Sequence, residues 1–477
     1  MSDIVRRLER VFNPRSIVVI GDKRAMGYFW LRNMSTFKGK LYSVQIDPNE
    51  ISGILELGIS NYASLLDIPD DIDFVVCAVP RPVAPRIITD CVAKKVGGVA
   101  LFTSGFAETG EPEGVRLQRE IAKTARQGDL VLIGPNCMGV YNRRLGVRQA
   151  MDQPAGDEGD VGFISHSGTH AINFSLLAAS QRVKISKSVS AGNSCVVRPV
   201  DYLEYMAQDD ETKVIGMYLE GVQEGKRLFK VLRRVTPLKP VVIWKGGESE
   251  GGRRAMFSHT GSLATSSTTW QALVKQCGVI STDGLDETVD VMKALLFAKP
   301  GTGNRMGLVA LTGGQSVVIT DAFERAGLEV PLLSKRSYKQ LAGFFNIIGG
   351  SFRNPLDAGG TLGFGTSPEN LDRMLRILDE DEHIDAIAIE LSPRMMARRT
   401  PEQATPTDWL PDMLTEHKER SQKPFLAVMH PGHLEAFVVE ERQKYIERGI
   451  PTFAGFQQAA SAFAKVVAYR RFVAGIE

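Results

Sequence analysis

The sequence predicts an α/β protein built from three doubly wound units, each a parallel sheet with helices on both faces. Two observations carry this expectation. Short, continuous apolar runs rich in β-branched residues alternate with longer amphipathic ones, the pattern of strands buried on both faces and joined by crossover helices. The alternation also stops and restarts twice, at polar stretches with proline and glycine over 143–160 and 298–306. A length of 477 residues suits about three domains, and the expected boundaries are 1–145, 146–300 and 301–477.

In the first unit SIVVIG, KLYSVQID, DFVVCAVP, GVALFTSG and LVLIGPN read as strands, with helical patterns such as VAPRIITDCVAKK and EGVRLQREIAKTA between them. The second restarts with VGFISHSG, ISKSVSAGN, VIGMYLEGV, PVVIWKGG and GVISTDG. GLVALTGG, DAIAIEL, PFLAVMHPG and IPTFAGF form the third set. In open sheets of this kind ligands bind beyond the carboxyl ends of the strands, so the loops that lead into helices are where function is sought.

Composition narrows the class. With 43% hydrophobic and 23% charged residues the chain has enough apolar material for several cores. Its 57 basic and 55 acidic residues leave a formal charge of +2, which gives no general attraction to nucleic acid or to a membrane surface. Cys77, Cys91, Cys137, Cys195 and Cys277 are scattered and odd in number, as expected of reduced thiols. The charged start, MSDIVRRLERVF, is no signal peptide, and no apolar run is long enough to span a bilayer. A cytoplasmic protein is expected.

Four loops carry chemistry, and a fifth competes. The turn VIGDKRAMGYF places Gly21 and Gly27 between a buried strand and a helix, with Lys23 and Arg24 beside them. Backbone N–H groups and a helix start can hold a phosphate there, although the turn is not the GxGxxG of a dinucleotide site. ISHSGTHAINF sets Ser165, Ser167, Gly168 and Thr169 at a strand end and helix start, suited to capping the helix or to binding an anion. His166 and His170 stand four apart without a third ligand, so no metal site is expected. YLEGV leaves Glu220 at a strand's carboxyl end, where a carboxylate is either solvated or fixes the tautomer of an imidazole. FSHTGSLATS offers such an imidazole in His259, which is otherwise an exposed residue at a helix entry. HPGH, with His430 and His433, is a weaker competitor.

Taken in order, IGPNC, ISHSGT, YLEGV and SHTGSLA resemble the α subunit of NDP-forming acyl-CoA synthetases, the family of ADP-forming acetate–CoA ligases related to succinyl-CoA synthetase. The resemblance extends through SLLDIPDDIDFVVCAVP, SVSAGN, KPVVIWKGG and RNPLDAGG. It implies a Rossmann-like CoA-binding domain followed by two flavodoxin-like ligase domains. It implies a phosphohistidine at His259, a glutamate that orients it at Glu220, and a phosphate seat at Ser165, Ser167, Gly168 and Thr169. The substrate CoA would lie on Gly21, Lys23, Arg24, Gly27 and the loops at Pro80 and Gly105. No ATP-grasp unit is recognised in the chain, so ATP or ADP with Mg2+ is expected on a separate ATP-grasp β subunit of a hetero-oligomer. The remaining substrates would be a small carboxylic acid and phosphate.

Three features depart from the family's pattern. The first turn is shorter than usual, Asn49 stands after Pro48 where a basic residue is common, and His166 sits between the two serines. A CoA sensor without turnover is the alternative. It needs neither Glu220 nor His259, and a nicotinamide dehydrogenase lacks its fingerprint here.

Overall fold

The computed structural model describes residues 3–254, 266–362, 367–397 and 406–476. The chain forms two compact units, Met1–Thr288 and Val289–Glu477. The first unit holds two sheets and the second holds one.

The first sheet contains β1 (Ser16–Ile20), β2 (Lys40–Val44), β3 (Ser60–Tyr62), β4 (Phe74–Cys77), β5 (Gly98–Leu101) and β6 (Val131–Ile133). Its order is β3-β2-β1-β4-β5-β6 with every pair parallel, the winding of a Rossmann fold. β1, β4, β5 and β6 are buried along their whole length, which explains their uninterrupted apolar sequences.

The second sheet contains β7 (Gly139–Asn142), β8 (Val161–Ser165), β9 (Ile185–Ser190), β10 (Val214–Leu219), β11 (Val241–Lys245) and β12 (Ile280–Thr282), in the order β12-β11-β10-β8-β9-β7. Without β7 this is the flavodoxin winding, and β7 closes its edge as an antiparallel strand against β9. β9 is buried despite the polar sequence ISKSVS, and Ser186, Lys187 and Ser190 find partners while Ser188 Oγ has none among the described residues. Lys187 Nζ lies 2.8 Å from Asp209 and 2.6 Å from Glu211, and Ser186 pairs with Thr212.

In the second unit β13 (Met306–Ala310), β14 (Leu356–Asp357), β15 (Ala386–Glu390), β16 (Phe425–Val428) and β17 (Thr452–Phe453) take the order β14-β13-β15-β16-β17. That too is the flavodoxin winding, in parallel throughout.

The sequence reading missed β3, β7 and β14. Each is four residues or shorter and too brief to show a period. The stretch 143–160, read as a linker, is instead packed. Arg148 donates to the Asn33 carbonyl at 3.0 Å, Gln149 to the Gly139 carbonyl at 2.7 Å, and Gln153 to Ser175 Oγ at 2.7 Å.

Within the first unit, helix Asp3–Phe12 lies against helix Pro199–Gln208. Phe12 stacks on Tyr205 at 4.6 Å, meets Tyr202 edge-on, and Tyr205 donates to Glu9. Such an aromatic pair adds about 0.5–1.5 kcal/mol beyond the area it buries. All five cysteines are free thiols, and Cys195 alone is not fully buried. Among the described residues no helix is long and apolar enough to cross a membrane.

Candidate active site

The second sheet reverses its winding between β8 and β10, and this switch point is where the sequence motifs meet. β8 ends at Ser165, and helix Gly168–Ser180 begins three residues later. Ser165 Oγ donates to the Ser167 carbonyl at 2.7 Å and accepts from the Ser167 N–H at 3.1 Å, which sets the turn. Ser167 caps the helix by accepting from the His170 N–H at 3.3 Å. The N–H groups of Gly168 and Thr169 meet no acceptor among the described residues, so the helix start presents two donors and its dipole to an anion. Glycine at position 168 leaves room for Met138, whose Cγ would stand 2.6 Å from a Cβ there.

Met138 follows the IGPNC loop, and its N–H donates to Ser190 Oγ at 3.0 Å. The SAGN loop is held on both sides. The Ala191 N–H donates to the Ser165 carbonyl at 2.7 Å, and the Asn193 N–H donates to the Pro135 carbonyl at 3.0 Å. Three loops far apart in sequence therefore form one floor.

Glu220 follows β10 and is buried. Its N–H donates to His166 Nδ1 at 3.0 Å, and its carbonyl accepts from Lys245 Nζ at 2.7 Å. Tyr218 offers its hydroxyl to the Glu220 carboxylate, and burial, with that neighbour, pushes the phenol upward. Burial pulls the Lys245 ammonium below its ordinary range. Burial also drives His166 down to about 4, against the attraction of Glu220, so the ring is neutral near pH 7. His170 packs its ring on Tyr218 and Trp244, with all three centroid distances 4.5 Å. The two histidines are thus engaged separately, one by a backbone N–H and one by aromatic faces. Among the described residues no group of three or more His, Cys, Asp or Glu could hold a metal.

The first sheet has its own switch point between β1 and β4. Gly21 takes φ +85, and a Cβ on it would come 2.8 Å from Val79 Cγ1, so a side chain would fill the crevice beside the Pro80 loop. The Ala78 backbone stands 3.3 Å from the same position, so only glycine lets this turn pass the end of β4. Gly27 ends a short turn with φ +65, and Lys23 and Arg24 stand exposed on it. The Arg24 N–H is taken by Glu50 at 2.6 Å. Asp22, which the sequence reading passed over, is buried and accepts the Leu31 N–H at 2.9 Å. Burial raises its pKa. The loops at Pro80 and Gly105 are joined by Arg81, whose guanidinium donates to the Gly105 carbonyl at 2.5 Å. Asn49 turns back to Asp47.

In the second unit the carboxyl end of the sheet gathers residues that the sequence reading did not single out. Thr312 caps helix Gly313–Arg325. Glu390, at the end of β15, accepts the Leu311 N–H at 2.9 Å. Asp357 Oδ2 lies 3.2 Å from where a Cβ on Gly313 would stand. Burial raises the pKa of both carboxyls. The signal was present as two glycine pairs, Gly313–Gly314 and Gly359–Gly360, each within a few residues of a strand end. In the HPGH loop His430 Nδ1 accepts the Gly432 N–H at 3.1 Å. His259 lies outside the described residues.

Fold and site together define an α/β protein whose second sheet places an open helix start beside a buried glutamate held at its backbone N–H and carbonyl. Residues 15–143 match the CoA binding domain model, and residues 158–295 match the succinyl-CoA ligase like flavodoxin domain model. The chain is 32% identical to acetate–CoA ligase (ADP-forming) II subunit alpha of Pyrococcus furiosus, covering 98% of this chain and 99% of that one. It is 31% identical to subunit alpha of acetate–CoA ligase (ADP-forming) I of the same organism, with 98% of each covered. Acetate–CoA ligase (ADP-forming) I of Archaeoglobus fulgidus is 34% identical over 81% of this chain, which spans 55% of that longer protein. Among solved structures, the dinucleotide forming acetyl-coenzyme A synthetase 1 of Ca. Korarchaeum cryptofilum, in complex with phosphate and ADP, superposes with a TM-score of 0.82 at 28% identity. That likeness covers 98% of this chain and 97% of the other. The chain belongs to the family of ADP-forming acetate–CoA ligase α subunits.

Proposed function

We propose that the chain is the α subunit of an NDP-forming acyl-CoA synthetase and works with an ATP-grasp β subunit in a cytoplasmic hetero-oligomer. Together they interconvert a carboxylic acid, CoA and ATP with acyl-CoA, ADP and phosphate. Written from acyl-CoA, phosphate displaces the CoA thiolate to give an acyl phosphate. His259 then takes the phosphoryl group, releasing the carboxylate, and passes it to ADP. Ser165, Ser167, Gly168 and Thr169 seat the phosphate, and Glu220 fixes the imidazole of His259 so that one nitrogen is free to attack. Gly21, Lys23, Arg24, Gly27 and the Pro80 and Gly105 loops receive CoA, while Mg2+ accompanies the nucleotide on the partner.

The observation that carries this reading is the convergence at one switch point of the helix start at Gly168 and the buried Glu220. A binding protein gains nothing from a glutamate whose backbone is fixed at its N–H and at its carbonyl at once. The test mixes the chain with a candidate β subunit and labelled ATP. Wild type should gain an acid-labile, base-stable label, and acid, CoA and ATP should yield thioester only when both subunits are present. Undiminished label in His259→Ala, or full thioester formation by the chain alone, overturns the proposal.

A further inference from the structure

His166 stands between the two serines of the turn, where Ser167 rather than His166 caps the helix. Strands β8 and β10 are paired up to Ser165 and Tyr218, and the His166 N–H continues the ladder onto the Tyr218 carbonyl at 3.2 Å. Beyond that point the strands must part, because the switch point opens between them. The next donor, the Glu220 N–H, would then lose its partner. The His166 side chain supplies one, with Nδ1 3.0 Å from that nitrogen. Accepting at Nδ1 places the ring's proton on Nε2, so the tautomer is set by the backbone of Glu220. From the other side, Lys245 at the end of β11 holds the Glu220 carbonyl at 2.7 Å and the Gly246 carbonyl at 2.5 Å.

We infer that His166 is a positioning residue: its imidazole replaces the missing rung of the sheet at the switch point and so fixes the backbone from which Glu220 acts. This rests on the reading of Glu220 as the group that orients His259. A carboxylate on an unanchored residue at a strand's end has a range of directions, whereas one clamped at N–H and carbonyl has few. His166 is nine-tenths buried, and burial brings it down to about 4, so near pH 7 Nδ1 stays an acceptor.

The test is a double-mutant cycle on the α subunit assembled with its β partner, reading the single-turnover rate of His259 phosphorylation, KM for CoA and the melting temperature. His166→Leu keeps the volume and removes the acceptor. His166→Ala is made beside it, so that an acceptor-free chain remains if the leucine variant fails to fold. His166→Asn puts an amide oxygen where Nδ1 stands. The acceptor-free variants should lose phosphorylation rate by roughly 10- to 100-fold, the scale of a displacement of about an ångström at a reacting centre, with KM for CoA unchanged. Asn should restore most of the rate. Glu220→Gln should itself be slow, and adding His166→Leu to it should cost almost nothing further, because both changes disable one device. Losses that multiply in the double variant, or an Asn variant as slow as Leu, overturn the inference. If Glu220→Gln is slow while every His166 variant is fast, the inference fails and the proposed function stands. A wild type that never labels at His259 takes both down.

Discussion

His417→Phe should make the protein more stable, and increasingly so as the pH falls. His417 lies on helix Pro406–Arg420, is 1% exposed, and meets Phe425 edge-on at 5.1 Å. Neither ring nitrogen has a hydrogen-bond partner among the described residues. A neutral imidazole carries one N–H, and leaving it unmet in the interior costs about 1–3 kcal/mol. Burial outweighs the nearby Asp379 and Asp372 carboxylates and brings the pKa from 6.5 to about 4. Because the folded value is depressed, the unfolded chain binds the proton first as pH drops through 6.5. Stability therefore declines between about pH 6.5 and 4, by about 1.4 kcal/mol per unit, and is about 2 kcal/mol lower by pH 5. Phenylalanine has nearly the same shape and neither cost. The variant should gain about 1–3 kcal/mol near pH 7.5 and roughly 3–5 kcal/mol near pH 5. For a unit of this size each kcal/mol moves the melting temperature by about 2–4 °C. Calorimetry of the full chain at the two pH values, with hydrogen exchange at β15 and β16 to identify the transition, reads both numbers. A less stable variant, or one whose stability falls with pH as steeply as wild type, refutes the reasoning.

Two further predictions follow from the first unit. Gly21→Ala combines the left-handed φ of +85 with a 2.8 Å approach to Val79, so it should lower both CoA affinity and melting temperature. Gly27→Ala meets open space and should cost only the backbone strain, about 1 kcal/mol, and calorimetric titration with CoA separates the two. Lys187→Met leaves the buried Asp209 carboxylate without its cation, while Glu211 keeps Arg144, and should destabilise by about 3–5 kcal/mol in urea titration, whereas Arg116→Met, whose ion pairs are exposed, should change little.

The sequence made legible whatever a short window contains. β1, β4 and β15 declare themselves by unbroken apolar runs, and the glycine after β1 and the hydroxyls after β8 mark their turns by sitting between a strand and a helix. What failed were features that depend on a remote partner. The role of His166 is set by a residue 54 positions away, and that of Asp22 by the fold of its own turn around the Leu31 N–H. The carboxyls Asp357 and Glu390 look like ordinary strand ends until the sheet brings them to one edge. Polarity also misled over 143–160, since composition shows that Arg148, Gln149 and Gln153 are hydrophilic but not that carbonyls and a hydroxyl await them inside.

That packed stretch has a consequence for anyone who wishes to recombine this chain with its relatives. The boundary between two family models falls at 144–157, which invites a crossover there for chimaeras or a truncated CoA-binding fragment. A break early in that stretch would leave the carbonyls of Asn33 and Gly139 without the side chains of Arg148 and Gln149, and a break anywhere in it would part the edge strand β7 from β9. The interchangeable cassette is therefore Met1–Thr288 as a whole, and libraries that shuffle its two sheets independently should yield insoluble protein.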